Sequence, residues 1–397
     1  MSELDVPKFV DGQIEAIKTA LGGEKALIAV SGGVDSTVSA VLTHKAIGDN
    51  LVCIFIDDNF MRLGEPDSVK AVLSAPPLNL PVKVLNERNR FMEALAGLSD
   101  AEEKRKAFRD AFYQTLSDAA WAEECSFLVQ GTIKADIDET KRGIKTQHNI
   151  LEQIGIDAVE RFGFKVVEPI ASLYKNQVRE VARYLGVPKE VSERQPFPGP
   201  GLSVRVVGEV TAEKLDQLKA ATSVVEDALK REKPSQYFTA IMGGGAVEAP
   251  KILIREASSA LGMEQLRFTA MYLTEKATGI ADGKRAYGFV SAVEITDAIG
   301  KPVEVGYEVL EKMRVAIQSN FPEVTRVLRL VAGREDDEGY FVAMRAVVTE
   351  DFLTAEISEI PWPTLEAAAK KILSTCPKVI KVYYDITHKP PATIEFE

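Results

Sequence analysis

The apolar run Ala26–Val30 leads directly into Ser31-Gly32-Gly33-Val34-Asp35-Ser36-Thr37, followed by a helical stretch from about Ser36 to Ala46. A short apolar run closed by glycine reads as a buried strand. Strand, tight turn and helix in that order predict a parallel sheet, because parallel strands need a crossover connection. Adjacent glycines let the backbone bend and come close to a ligand. Small hydroxyls and the open amides of the helix start then face one point, which suits an oxyanion cluster. The lysine of the G-x-x-x-x-G-K-[ST] loop is absent, so this is a different device. Asp35 would repel bare phosphate but suits phosphate with magnesium between them. Gly-Gly alone would read as an ordinary turn; S-G-G-x-D-S in this setting points to a pyrophosphate site.

The theme repeats. LVCIFI (51–56), PVKVL (81–85), FLVQG (127–131) and FKVVEPI (164–170) are further strand-like runs, with a charged helical stretch at 102–124. Phe9, Val10, Ile14, Ile17 and Leu21 recur at helical spacing. Residues 1–190 therefore read as an α/β domain whose ligand sits beyond the carboxyl ends of its strands. RQPFPGPGLSV (194–204) has the composition of a linker, and 191–211 is taken as a connection. Residues 212–397 form an α+β domain with an internal duplication over about 285–335 and 338–397. GFVSAVEI (288–295) is similar to YFVAMRAV (340–347). Leu310, Ile317, Pro322, Val324 and Val327 match Leu365, Ile372, Pro377, Val379 and Val382, and each copy reads strand, helix, strand.

With 397 residues the chain has room for two or three domains. Its formal net charge of −11 argues against nucleic-acid binding through the phosphate backbone. Cys53, Cys125 and Cys376 are widely spaced, which indicates a reducing compartment and no disulfide framework. The three histidines have no metal spacing. MSELDVPKFVDGQ is not a signal peptide, and no apolar stretch is long enough to span a bilayer. A cytoplasmic protein with no membrane partner is expected.

The SGGVDS run resembles the N-type ATP pyrophosphatases, which cleave ATP between its α and β phosphates and adenylate an oxygen that a nucleophile then displaces. Further segments are similar to the GMP synthetase members of that group: IDDNFMRLGE (56–65), EEKRKAFRDAF (102–112), LVQGTIKADIDET (128–140), IKTQHN (144–149), VEPIASLYKNQVRE (167–180), ERQPFPGPGLSVRVVGEVT (193–211) and YDITHKPPATIEFE (384–397). The resemblance covers almost the whole chain in order. It implies an adenine nucleotide alpha hydrolase-like domain followed by a dimerisation-type domain, and it makes 194–204 an integral part of the structure. The implied reaction uses ATP and Mg2+ to adenylate xanthosine 5'-monophosphate (XMP), after which ammonia yields GMP and AMP.

The same resemblance implies roles. Ser31, Gly32, Gly33, Val34, Asp35 and Ser36 hold pyrophosphate, Asp35 also serving the metal. Asp57 and Gly131 lie near adenosine, and Lys175 touches pyrophosphate. Asp136 and Glu139, with the lid residues Lys145 and His148, are catalytic. Arg105, Lys389, Ile394 and Glu395 bind XMP, which would order the C-terminal tail. No cysteine sits in a glutaminase motif and no upstream domain is visible. Ammonia is thus expected free or from a separate glutamine amidotransferase subunit, as in archaeal GMP synthases. The enlarged second domain suits a homodimer or a pseudo-dimeric monomer. Gln147 stands where the family usually has a first histidine, and residues 149–164 are longer than its post-lid segment. These departures keep open a paralogue acting on another oxo-nucleotide, or a non-catalytic nucleotide-binding partner.

Overall fold

The apolar runs of the first half become one parallel sheet: β1 (Ala26–Ala29), β2 (Leu51–Asp57), β3 (Val82–Asn86), β4 (Phe127–Val129) and β5 (Lys165–Val167). The computed structural model describes residues 4–141, 163–263, 265–281, 283–335, 338–350 and 353–397, the side chains of 139–141 excluded. Strand order is β3-β2-β1-β4-β5, so the order reverses between β1 and β4. A crevice opens at such a switch point, beyond the strands' carboxyl ends. Helix α1 (Val6–Leu21) starts where the Asp5 carboxylate accepts the Lys8 amide at 3.1 Å, and it stops at Gly22, whose φ is +58°. Helix α2 (Val34–Ile47) follows the glycine turn, and its residues Thr37–Thr43 are all buried. Helices α3 (Glu65–Ser74), α4 (Arg88–Leu95), α5 (Ala101–Ala122) and α6 (Lys134–Lys141) lie in the connections between strands, and α7 (Lys175–Tyr184) follows β5. Ile28, Val38, Leu42 and Phe55 are wholly buried and belong to one core cluster. Each such side chain contributes about 1.5–3 kcal/mol by leaving water.

The chain divides into two compact units, residues 1–95 with 105–200, and residues 96–104 with 201–397. The second is built on two strand–helix–strand repeats. One is β10 (Lys284–Thr296), α10 (Tyr307–Asn320) and β11 (Val324–Gly333); the other is β12 (Tyr340–Val348), α11 (Trp362–Thr375) and β14 (Val379–Asp385). Within each repeat the strands are parallel, and β11 meets β14 antiparallel at the centre of a continuous sheet. The duplication reaches further than the sequence indicates. Helix α8 (Ala212–Leu229) leads into β6 (Gln236–Gly243), which lies antiparallel on β12; helix α9 (Lys251–Leu261) precedes β8 (Arg267–Leu273), which lies antiparallel on β10. Short strands β7 (Ala246–Glu248), β9 (Ala277–Ala281) and β13 (Glu356–Ile357) fill the margins.

The register corrects one alignment. Phe289 pairs with Val324 and Val290 with Arg326, while Tyr340 pairs with Val379 and Phe341 with Lys381. Phe289 is therefore the counterpart of Tyr340, one residue away from the match of GFVSAVEI with YFVAMRAV. Strand β12 is buried on both faces from Phe341 to Val347, so it shows no alternation that would reveal the slip.

Among the described residues no helix is long and apolar enough to cross a membrane, and no group of three or more His, Cys, Asp or Glu could hold a metal ion.

Candidate active site

The turn after β1 lies at the switch point of the first sheet. Gly32 has φ +73°, and a methyl group there would meet Val69 Cγ2 at 2.6 Å. Glycine is therefore required twice, by conformation and by space. Gly33 caps α2, which begins at Val34. Ser36 Oγ accepts the Ser31 amide at 3.2 Å and lies 3.2 Å from Ser31 Oγ. Both serines are thereby drawn to the open end of α2, whose amides favour an anion.

Asp35 sits in the first turn of α2. Lys175 Nζ, at the start of α7 and 140 residues away in sequence, donates to its Oδ2 at 2.5 Å. Asp35 Oδ1 is buried and has no hydrogen-bond partner among the described residues. A buried carboxylate oxygen without a donor is costly unless a ligand completes it. It is a hard oxygen beside a phosphate-type cradle, a donor that fits magnesium shared with substrate phosphates.

Gly131 follows β4, and a Cβ there would lie 2.9 Å from Asp35 C and Ser36 N. The backbone after β4 thus abuts the first turn of α2. At the end of β2, Asp57 Oδ2 accepts Arg88 Nε and Nη2, both at 2.8 Å, and its Oδ1 accepts the Asn59 amide at 3.3 Å. Asp136 Oδ2 accepts the Ile133 amide at 3.1 Å and closes the entry into α6. Arg105 is buried on α5. The Glu139 side chain, Lys145 and His148 lie outside the described residues, as does Gln147.

Beside Gly32 is a group that no sequence motif announced. Glu65 accepts from Arg194 Nη2 at 2.5 Å and from the Arg62 amide at 2.8 Å, and the Arg62 guanidinium stacks on Phe197 at 4.1 Å. A cavity of about 300 Å³, lined in part by Gly32, Arg62, Glu65, Val69 and Arg194, opens there. Neither Asp35 nor Lys175 lines it. Arg194 and Phe197 belong to the proline-rich segment, so that stretch is packed structure. The available signal was the charged residue heading RQPFPGPGL.

In the second unit the C-terminal tail is woven into the fold. Glu395 forms a two-pronged pair with Arg205, Nε to Oε2 and Nη2 to Oε1 both at 2.9 Å. The Ile394 carbonyl accepts Arg345 Nε at 2.9 Å. Lys389 exchanges backbone hydrogen bonds with Ala355 at 2.7 and 3.0 Å. Arg326 and Arg345, both wholly buried, each donate to Asp385 Oδ2 at 2.7 Å and to tail carbonyls, including Thr393 O at 3.0 Å. Burial lowers the Arg326 guanidinium to about 10, with the Asp385 carboxylate opposing that drop. Glu397 pairs with the buried Lys104, whose Nζ also donates to Val206 O at 2.7 Å and Gly208 O at 2.8 Å. Burial raises the Glu397 carboxyl above its ordinary value, and Lys104 counters it.

A family described as "NAD synthase" matches residues 8–233, and one described as "GMP synthase C terminal domain" matches residues 329–396. Three relatives are each named as one subunit of a glutamine-hydrolyzing GMP synthase. The protein from Sulfurisphaera tokodaii is 43% identical, covering 99% of each chain. That from Methanopyrus kandleri is 39% identical, also over 99% of each chain. That from Archaeoglobus fulgidus is 36% identical over 99% of this chain and 100% of its own. With identity of this order along essentially the full length, and with the α/β arrangement described above, the chain belongs to this family of GMP synthase subunits.

Proposed function

We propose that the chain is the ATP pyrophosphatase subunit of a two-subunit GMP synthase. ATP adenylates O2 of XMP and pyrophosphate leaves; ammonia attacks C2, AMP leaves with the oxygen, and one proton is lost as GMP forms. The observation that carries this reading is the loop Ser31–Ser36 at the switch point, with Lys175 on one Asp35 oxygen and the other oxygen unpartnered among the described residues.

The chemistry follows from those groups. Backbone amides at the start of α2 bind the β and γ phosphates, and the Lys175 ammonium offsets charge that grows on pyrophosphate as the bond breaks. Asp35, through Oδ1, would hold magnesium, which when bound neutralises phosphate oxygens. Asp57 and Gly131 border the adenosine, Gly131 by letting the chain pass close to Ser36. Asp136 and Glu139, next to the lid, and the lid residues Lys145 and His148 are catalytic. Arg105, Lys389, Ile394 and Glu395 grip XMP, a cation suiting its phosphate and a carboxylate its ribose hydroxyls. Ammonia comes from a separate glutamine amidotransferase subunit in the cytoplasm. Because β11 and β14 already join two equivalent halves within one chain, a pseudo-dimeric monomer is the assembly this reading favours.

The test is AMP and GMP formation from ATP, XMP and ammonium. Both products in equal amounts, only with all three present and only until magnesium is chelated, support the reading. AMP without GMP would assign another acceptor or nucleophile. No turnover even with the amidotransferase subunit added would refute it.

A further inference from the structure

Arg205 lies in the turn Gly201–Arg205 that ends the proline-rich segment. It is 1% exposed, and its guanidinium lies over the Phe238 ring at 4.0 Å. Two of its nitrogens meet the two oxygens of Glu395 at 2.9 Å each. Gln236 Nε2, from β6, reaches Glu395 Oε1 at 3.1 Å. Glu395 itself keeps 19% of its side chain exposed. One carboxylate is thus gripped on its inner edge by three donors, while part of it faces outward.

Geometry of this kind sets direction. A fork-to-fork pair fixes the carboxylate plane, which a lysine or a water cannot do. Stacking on Phe238 removes the freedom of the arginine in turn. Oε1 accepts from both Arg205 and Gln236, so the lone pair left in the carboxylate plane is on Oε2, in one fixed direction. A ribose hydroxyl donates one hydrogen bond and can meet an acceptor held in that direction.

We propose that Arg205, assisted by Gln236, is a positioning residue that sets how the Glu395 carboxylate meets the ribose of the nucleotide, and so helps select ribo- over 2'-deoxyribonucleotides. The inference rests on the reading that Glu395 contacts that ribose. It also gives a task to PFPGPGLSVR, whose buried turn delivers the guanidinium to β6.

The experiment compares Arg205→Met, Arg205→Lys, Glu395→Gln and Gln236→Met in the full-length protein with ammonium as nitrogen source. KM and kcat are measured for ATP, XMP and 2'-deoxy-XMP. Arg205→Met should raise KM for XMP by about ten- to a hundredfold and leave KM for ATP unchanged, the loss expected for hydrogen bonds to a charged group. The preference for XMP over its deoxy analogue should fall, with Arg205→Lys between wild type and Arg205→Met. A purely structural role would lower the amount of active enzyme while leaving both KM values and the ribo preference intact. If Glu395→Gln changes neither KM for XMP nor that preference, the underlying contact is absent. If Glu395→Gln changes both and the Arg205 variants do not, the contact stands and the role of Arg205 is refuted. Should Arg205→Met fail to fold, Gln236→Met decides: a KM increase of several-fold with weaker ribo preference supports the assignment, and wild-type values overturn it.

Discussion

Arg329 and Tyr384 face each other across the antiparallel pair β11 and β14, and they are the same position of the two repeats, fifty-five residues apart. On either side, Leu328 pairs with Asp385 and Leu330 with Tyr383, which exchange under the same offset. The pseudo-two-fold axis of the second unit therefore passes between Arg329 and Tyr384. Equivalence of fold there has not kept equivalence of chemistry. Arg329 stacks on Trp362 at 4.1 Å and donates to Val303 O, whereas the Tyr384 hydroxyl donates to Ser358 O.

Asp385 ends β14 with two buried arginines on one oxygen. Asp385→Asn would leave both guanidiniums without their counter-charge, although the tail carbonyls remain. Breaking a buried pair in this way costs about 3–5 kcal/mol. Urea denaturation followed by tyrosine or tryptophan fluorescence should show the second unit destabilised by that order. A midpoint equal to wild type would mean the tail carbonyls alone hold the arginines.

Gly131→Ala places a methyl group 2.9 Å from the backbone of Asp35 and Ser36. Backbone cannot step aside as a side chain can. The first turn of α2 must shift, at an overpacking cost of about 1–3 kcal/mol. ATP affinity, measured by calorimetry with magnesium, should fall steeply, while Gly12→Ala, where a methyl group meets nothing within 4 Å, should bind ATP normally.

Lys175 is 43% exposed on its side chain, so its loss should hardly alter folding. Its place is on Asp35. Lys175→Ala is expected to lower the rate of AMP formation by about 10²–10³-fold, the usual loss when one stabilising donor is removed. The melting temperature should stay near wild type. An unchanged rate would take Lys175 out of the pyrophosphate site.

Burial pushes the Cys53 thiol up to about 12, and the Cys125 and Cys376 thiols up to about 11. Their protonated forms are favoured in the folded chain. That contribution to stability is complete below the ordinary thiol value of 9 and is lost as pH climbs toward 11–12. At pH 8 the native protein should react with DTNB very slowly, and all three thiols should react in guanidinium. A thiol titrating quickly in the native state would contradict this packing.

Strand-forming runs, the glycine turn and the strand–helix–strand repeat were legible because each is a local pattern. Ala26–Ala29, Phe127–Val129 and Lys165–Val167 lie within the apolar runs that announce them, Leu51–Asp57 and Val82–Asn86 run one residue past theirs, and α2 begins at the residue after the two glycines. The family resemblance then supplied candidate residues that composition could not. What it could not supply was what those residues touch. Asp57 is met by Arg88, Glu395 by Arg205 and Glu397 by Lys104, the last two pairs lying 190 and 293 positions apart along the chain.

The helix–strand part of the duplication escaped notice because each copy sits beside the repeat with which it shares the sheet, β6 on β12 and β8 on β10, in crossed chain order. The register of β12 was equally silent, since a strand buried on both faces has no alternation to count. Local patterns indicated the parallel sheet and the glycine turn, and the resemblance of whole segments indicated the family, since each depends on neighbours along the chain. That Lys175 reaches Asp35, that Arg205 grips Glu395 and that Arg329 meets Tyr384 came from folding in three dimensions. Contacts between distant residues form when packing brings their elements together, and no local pattern encodes that meeting.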